Sequence, residues 1–232
     1  MHNIYNTEGI VLSSFGVGEA NKFFHIFTRE LGLIQATAQS VRELKSKNRY
    51  GLQDFSVSDF SLVRGRDIWR ITNVLSQENL FFLFNPTSSF SQDFSEPDFS
   101  TAQRVEPLKS PAQKNLKQRK VKLSAIVNIF SLLKQFIHGE EKNEELFDIV
   151  FNAIDFLKNN NLKEEELEGF DLLVKMRILN NLGYFNEKSQ KEIFLEFFKT
   201  DVLNKKSIKK INLIKKEVLR EINNSLEDTH LL

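Results

Sequence analysis

The spacing of the apolar residues changes once along this chain, and that change limits the fold more than any other feature. Residues 4–75 carry short apolar runs of strand length with alternating or turn-bounded patterns. From Leu123 onward the apolar residues recur every three or four positions. All four prolines (Pro86, Pro97, Pro107 and Pro111) fall between the two regimes. A period of two marks half-buried strands and a period of 3.6 marks amphipathic helices. The pattern therefore predicts an α+β chain, with a β domain first and an all-α domain after it.

Within the first regime, Gly9-Ile10-Val11-Leu12, Phe23-Phe24-His25-Ile26-Phe27 and Ile34-Gln35-Ala36-Thr37-Ala38 read as strands. Phe15-Gly16-Val17-Gly18 and Leu31-Gly32-Leu33 read as turns between them. Phe60-Ser61-Leu62-Val63 and Ile68-Trp69-Arg70-Ile71-Thr72 flank Arg64-Gly65-Arg66-Asp67, a hairpin in which Gly65 is expected to supply a positive φ. About five strands in this length imply a small barrel or sandwich.

Residues 84–118 are rich in Ser, Pro and scattered Phe and read as a linker. In the second regime one stripe runs through Ile126, Ile129, Leu133, Phe136 and Ile137, with Ser124 as the expected N-cap. A second runs through Leu146, Ile149, Val150, Ile154 and Leu157 and ends at Asn159-Asn160-Asn161. A third, from Leu167 to Leu182, stops at Gly183. Phe194, Phe197 and Phe198 suggest a short fourth helix, and Ile208, Ile211, Leu219 and Ile222 a lysine-rich fifth. The expected organisation is a barrel over 1–80, a linker over 81–120 and a helical bundle over 121–232.

The chemistry is restricted. With no cysteine there is no disulfide, thiolate nucleophile or Cys-ligated zinc, and the four histidines show no metal-ligand spacing. No phosphate-loop, dinucleotide-binding, nucleophile-elbow or zincin motif occurs, so the sequence points away from an enzyme and from a cofactor. Acidic residues such as Glu140, Glu141, Glu144, Glu145 and 164–166 sit where helix N-termini are expected, not as a catalytic pair. No apolar run is long enough to span a bilayer and Met1 is not followed by signal-peptide regions, which predicts a soluble, cytoplasmic protein.

The net charge of +1 conceals segregation. Net charges are +1 over 1–80, −3 over 81–103, +6 over 104–122, −6 over 123–170 and +3 over 171–232. Such blocks bear on partners. Arg42, Lys45, Lys47 and Arg49 stand within eight residues and are followed by Tyr50 and Gly51. Several cations on one loop can each displace a counterion from a phosphodiester backbone. Arg64, Arg66 and Arg70 add charge at the hairpin, and Lys22 and Arg29 flank the second strand. Tyr50, Phe55 and Trp69 are either stacking faces for bases or parts of the core. The loop itself is equally readable as a solvated loop. Lys205, Lys206, Lys209 and Lys210, with Lys215 and Lys216, form a second cationic set, either a solvated helix face or a continuation of a nucleic-acid track. A third set is Lys114, Lys117, Arg119, Lys120 and Lys122.

Thr7-Glu8-Gly9-Ile10-Val11-Leu12, Gly18-Glu19-Ala20-Asn21-Lys22 and Phe27-Thr28-Arg29-Glu30-Leu31-Gly32 resemble the opening of the RecO family of bacterial recombination mediators. Gly51-Leu52-Gln53-Asp54-Phe55, the stretch from Arg64 to Ile71, and Leu179-Asn180-Asn181-Leu182-Gly183-Tyr184 follow in the family's order. The resemblance implies an N-terminal OB-fold and a helical domain. It implies binding of single- and double-stranded DNA and annealing of complementary strands. The implied partners are RecR, the acidic tail of single-stranded DNA-binding protein and, indirectly, RecA, in a bacterial protein associated with the nucleoid during repair. It makes the 42–49 loop and the hairpin arginines the expected DNA contacts. Many relatives carry a cysteine-ligated zinc module after the Leu-Gly-Tyr segment; here 186–200 is helical in pattern, which implies a shortened, zinc-free domain. The acidic stretch Gln92-Asp93-Phe94-Ser95-Glu96-Pro97-Asp98-Phe99 resembles that tail in composition, and is expected to compete for the chain's own tail pocket. The alternative is a protein-interaction adaptor on an OB-fold without DNA affinity.

Overall fold

A computed structural model describes residues 3–84, 111–137, 139–185, 192–198 and 203–227, with backbone alone at 111–117, 192, 193, 225 and 227. Five strands come first: β1 (Ile4–Val17), β2 (Asn21–Thr28), β3 (Gly32–Ala38), β4 (Ser56–Arg64) and β5 (Trp69–Asn79). They close into a barrel in the order β1-β2-β3-β5-β4. All neighbours are antiparallel except β3 and β5, which run parallel with Ala36 opposite Trp69 and Thr37 opposite Arg70. That order, with one parallel closure, is an OB-fold.

Closure requires β1 to pair with both β2 and β4. At 14 residues β1 is long enough to do so, and an irregularity between Val11 and Ser13 bends it from one neighbour toward the other. Val11, Phe24, Ile26, Ile34, Ala36, Phe60, Leu62, Trp69 and Ile71 fill the interior. The residues that alternate with them face outward, which is the period read from the sequence.

Two local readings change, and one left open is decided. β1 continues through Phe15, Gly16 and Val17, and the turn occupies 18–20, with Gly18 at φ 63°. Ladder pairing of Phe15 with Phe23 and of Val17 with Asn21 outweighs the turn propensity of the two glycines. At the β4–β5 hairpin Gly65 is not among the residues of positive φ. It is needed because a Cβ there would meet the Ile68 carbonyl oxygen at 2.3 Å, where the Gly65 N–H donates to that oxygen at 3.1 Å. Trp69 is core, 5% exposed, and Phe55 stacks on Phe130 at 5.5 Å between ring centres.

Beyond β5 the chain forms α1 (Leu80–Phe84), then α2 (Pro111–Phe136), α3 (Glu144–Asn159), α4 (Glu164–Asn181), α5 (Glu192–Phe198), α6 (Lys205–Leu213) and α7 (Lys215–Glu227). Asn79 starts α1, its Oδ1 accepting from the N–H groups of Phe81 and Phe82. Ser124 lies inside α2 rather than capping it: the helix begins at Pro111, whose missing N–H and fixed φ suit a first position, and the Lys- and Gln-rich stretch after it favours helix. Residues 85–110 of the expected linker, including the stretch 92–99, lie outside the described residues, as do 186–191 of the segment expected to replace a zinc module. The expected fifth helix is two, α6 and α7, separated at Ile214.

α4 is the axis of the bundle. It buries most of its circumference, from Leu167 and Phe170 to Ile178 and Leu179, because α2, α3, α5, α6 and α7 all pack on it. Gly169 lets α6 come close, since a Cβ would stand 2.6 Å from the Asn212 side chain, whose Nδ2 donates to the Glu165 carbonyl at 2.7 Å. Gly183, at φ 79°, ends the helix, and the Tyr184 N–H donates to the Leu179 carbonyl.

The bundle docks on the outside of the barrel. Ile10, Leu12, Phe27 and Val57 share one apolar cluster with Leu133, Phe136, Leu146 and Phe147. Polar contacts ring that seam. Arg29 lies over the Phe147 ring at 4.5 Å, donates to Asp148 at 2.5 Å and reaches Glu8 at 3.4 Å. Lys142 pairs with Glu30, Arg64 with Glu140 and Lys158 with Glu78.

Candidate nucleic-acid interface

The loop from 39 to 55 closes one end of the barrel, and its backbone is fastened before its side chains are presented. Val41 and Leu52 are buried as anchors. The Arg42 N–H donates to the Ala20 carbonyl at 3.0 Å, and the Arg42 guanidinium donates to the Gly18 carbonyl at 2.9 Å. The Ser40 N–H donates to Asn21 Oδ1, and Ser58 Oγ to the Gly51 carbonyl. Successive turns end in one 3-10 turn, Lys47–Arg49. The loop is thus tied to the β1–β2 turn at one side and to β4 at the other.

This fastening gathers Lys22, Arg42 and Arg49 around a cleft of about 300 Å³, completed by Val41, Leu52 and Gln53. Lys22 Nζ donates to Ser14 Oγ at 3.3 Å, and Ser14 Oγ to Asp54 at 2.6 Å, which orients the ammonium without a direct carboxylate partner. Among the described residues none of the three cations forms an ion pair. Three cations bordering one cleft, free of internal neutralisation, are chemically able to receive an anion with several oxygens, such as a phosphodiester.

The remaining sequence candidates divide by how the fold employs them. Lys45, Lys47 and Tyr50 are exposed on the same loop, the Tyr50 side being 74% exposed. Arg66 and Arg70 are exposed at the β4–β5 end. Arg29 is committed to Glu8 and Asp148, which raise its pKa, chiefly through the hydrogen bond to Asp148. Arg64 is committed to Glu140 and stacks over Trp69 at 4.9 Å. Lys205, Lys206 and Lys209 are exposed on α6, whose Ile208 and Ile211 are buried, while Lys210 pairs with Glu196 and Lys215 with Glu168. Lys216 falls beyond the break at Ile214, on α7. Lys122 of the third cationic set is buried, its Nζ donating to Asn161 at 3.4 Å beside the Phe84 ring, and burial lowers its pKa.

One feature lies outside every sequence candidate. Phe15, 51% exposed, stacks on Phe23 at 4.8 Å on the outer face of the barrel, and His25 meets Phe23 edge-on at 5.4 Å. Through the ladder, Phe15 faces Phe23, Phe23 faces Thr37, and Thr37 faces Arg70, so two rings and a cation stand in one row across four strands. The signal in the sequence was phase. Phe23 and His25 alternate with the interior residues Phe24 and Ile26, and Phe15 faces Phe23 only because β1 continues past the expected turn. OB-folds hold oligonucleotides on the β2–β3 face and on the loops joining β1 to β2 and β4 to β5, the regions these residues occupy.

Among the described residues no helix is long and apolar enough to cross a membrane, and no three His, Asp or Glu side chains converge to hold a metal ion.

The comparisons with known proteins follow the same division into barrel and bundle. Residues 1–78 match the family model for recombination protein O, N terminal, and residues 119–189 the model for recombination protein O, C terminal. A protein named DNA repair protein RecO from Alkaliphilus metalliredigens is 25% identical over 170 residues, covering 73% of this chain and 56% of that protein. One of the same name from Rubrobacter xylanophilus is 38% identical over 73 residues, covering 32% of this chain and 29% of that protein. Another from Mycoplasma mycoides is 30% identical over 87 residues, 38% of this chain and 33% of that protein. The matched stretches therefore span about half or less of these relatives' lengths. With the closed five-stranded barrel under one family model and α2 to the Leu182-Gly183-Tyr184 turn under the other, the chain belongs to the RecO family of DNA-repair proteins.

Proposed function

We propose that this protein is a non-enzymatic mediator of recombinational repair. It binds single- and double-stranded DNA on the barrel, anneals complementary strands, and acts with RecR to help RecA load onto strands coated by single-stranded DNA-binding protein. The observation that carries the DNA-binding part is the cleft bordered by Lys22, Arg42 and Arg49, which the fold assembles from one strand and a loop and leaves without internal counterions. Lys45, Lys47 and Tyr50 extend that surface along the loop, and Arg66 and Arg70 continue it at the other binding loop of the OB-fold. Lys205, Lys206, Lys209 and Lys210 on α6 form a separate surface, to which the reading assigns secondary contacts. Family membership supports the repair context; the named partners come with the resemblance.

The test is annealing of two complementary oligonucleotides, bare or coated with single-stranded DNA-binding protein. Acceleration on coated strands is the expected outcome. No acceleration on either substrate, from folded protein at low salt, overturns the reading in favour of an adaptor. Changing Arg42, Lys45, Lys47 and Arg49 together to Ala is expected to weaken DNA binding and to flatten the salt dependence by about 0.7 per lost phosphate contact on single strands. Its stability change is expected within about 0.5 kcal/mol per substitution for the exposed Lys45, Lys47 and Arg49. Arg42 adds the loss of its bond to Gly18.

A further inference from the structure

The bundle covers part of the barrel's outer face and leaves part of it open. Phe27 and Leu33 lie under it, whereas Phe15, Phe23 and His25 lie beyond its edge. At that edge a cleft of about 380 Å³ opens between the sheet and α2. The sheet side contributes His25, Leu33 and Gln35, and the helix side contributes Lys134 and Ile137, with Gly139 and Glu140 closing it. Its volume lies in the range of about 300–1,000 Å³ typical of pockets for small organic groups. The walls have opposed characters: Leu33 and Ile137 are apolar, while Gln35 carries both a donor and an acceptor.

Charge favours an anionic chain over a peptide of mixed character. Lys134 forms no ion pair among the described residues, and Glu140 is engaged by Arg64. On the platform's own face, Arg70 ends the row that runs from Phe15 through Phe23 and Thr37. Lys134 and Arg70 therefore accompany the aromatic pair on one face, with its π surfaces beside them. That is the arrangement of single-strand binders, in which bases stack on aromatic rings and the backbone follows positive charge. Burial and the nearby Lys134 lower the pKa of His25, so its ring is neutral at neutral pH and adds a face rather than a charge.

We propose that the cleft between the barrel's outer face and α2 receives an unstacked base of single-stranded DNA, with Phe15 and Phe23 as the stacking platform beside it and Lys134 on the adjoining phosphate. This rests on the DNA-binding reading and deepens it. The loop cations contact phosphates of either one strand or two, whereas the platform and cleft require bases that are not paired and stacked, and so they supply preference for single strands.

The competing role for the Phe15–Phe23 pair is to hold the β1–β2 hairpin. Substituting both by Leu keeps cross-strand apolar packing and removes the π faces; substituting both by Tyr keeps the faces. The full-length chain is titrated with a fluorescent thymidine oligonucleotide and with a duplex of equal length, with melting curves on each variant. The double Leu variant is expected to lose about tenfold or more in single-strand affinity, duplex affinity to stay within about twofold, and the Tyr variant to bind as wild type. Lys134→Gln, on an exposed side chain, is expected to lower the single-strand salt slope by about 0.7 and to leave the duplex slope unchanged. Unchanged single-strand affinity in the Leu variant overturns the proposal, as does equal loss on single strands and duplex. If the Leu variant fails to fold, the Lys134→Gln slopes decide between the same two outcomes. A wild-type protein that binds neither DNA removes the underlying reading as well, and so separates the two failures.

Discussion

At Gly32 the backbone stands at φ 69°, and a Cβ would lie 2.1 Å from the carbonyl oxygen of Glu141. Two demands meet at one residue, the left-handed conformation that opens β3 and the close passage of the loop between α2 and α3. Gly32→Ala is expected to cost about 1–3 kcal/mol, read from urea denaturation, because the strained conformation and the clash act together. His25 gives a second residue-level expectation. Its folded pKa lies below the ordinary 6.5, first through burial and then through Lys134. The unfolded chain therefore takes up the proton first on acidification. This contribution to stability is intact above about pH 6.5 and is lost as pH falls through that value toward the folded pKa. The urea midpoint of wild type is expected to fall more between roughly pH 7.5 and 5.5 than that of His25→Gln; parallel curves would refute this. Lys122 is a second desolvated cation, its pKa likewise lowered by burial. Lys122→Met retains the stem against Phe84 and is expected to be neutral or stabilising, by up to about 2 kcal/mol.

Element by element, the structure shows where local preference yields to packing. α4 keeps only a narrow polar strip, Glu164, Glu168, Asp171 and Lys175, because five helices pack on the rest, so the amphipathic stripe read from Leu167 to Leu182 describes only part of its buried surface. α6 and α7 share one lysine-rich period but separate at Ile214, where each helix turns a short apolar edge inward through Ile208, Ile211, Val218 and Ile222. The α4–α6 seam makes a quantitative expectation possible. Gly169→Ala is expected to destabilise by about 1–3 kcal/mol through overpacking against Asn212. Because the opposing atoms belong to a side chain, adding Asn212→Ala is expected to recover part of that loss in a double-mutant cycle. Strict additivity would place the strain elsewhere.

For the whole molecule, the barrel and bundle form a seam that determines which cations face solvent. Arg29 links Glu8 on the barrel to Asp148 on α3 and covers Phe147, so Arg29→Gln is expected to lower stability by about 1 kcal/mol with the DNA salt slope unchanged. A flattened slope would assign it to the binding surface instead. Phe55 supports the same seam: it adopts φ 69° to stack on Phe130, a conformation that a bulky residue rarely takes.

The order of barrel and bundle was legible in the sequence because hydrophobic period is a local property: alternation needs only neighbouring residues, and so does a helical stripe. The cationic loop was legible for the same reason, since Arg42, Lys45, Lys47 and Arg49 are close in the chain. What the tertiary structure decided was everything that depends on pairing across distance. Ladder register carried β1 through Gly16 and set Phe15 against Phe23, and it placed Thr37 between Phe23 and Arg70. Docking of the bundle engaged Arg29 and Arg64 in ion pairs, left Lys22, Arg42 and Arg49 around an open cleft, and built a second cleft from His25, Gln35 and Lys134. A cation's partner and a ring's exposure are set by residues far away in the chain, so composition and period do not encode them separately from the fold.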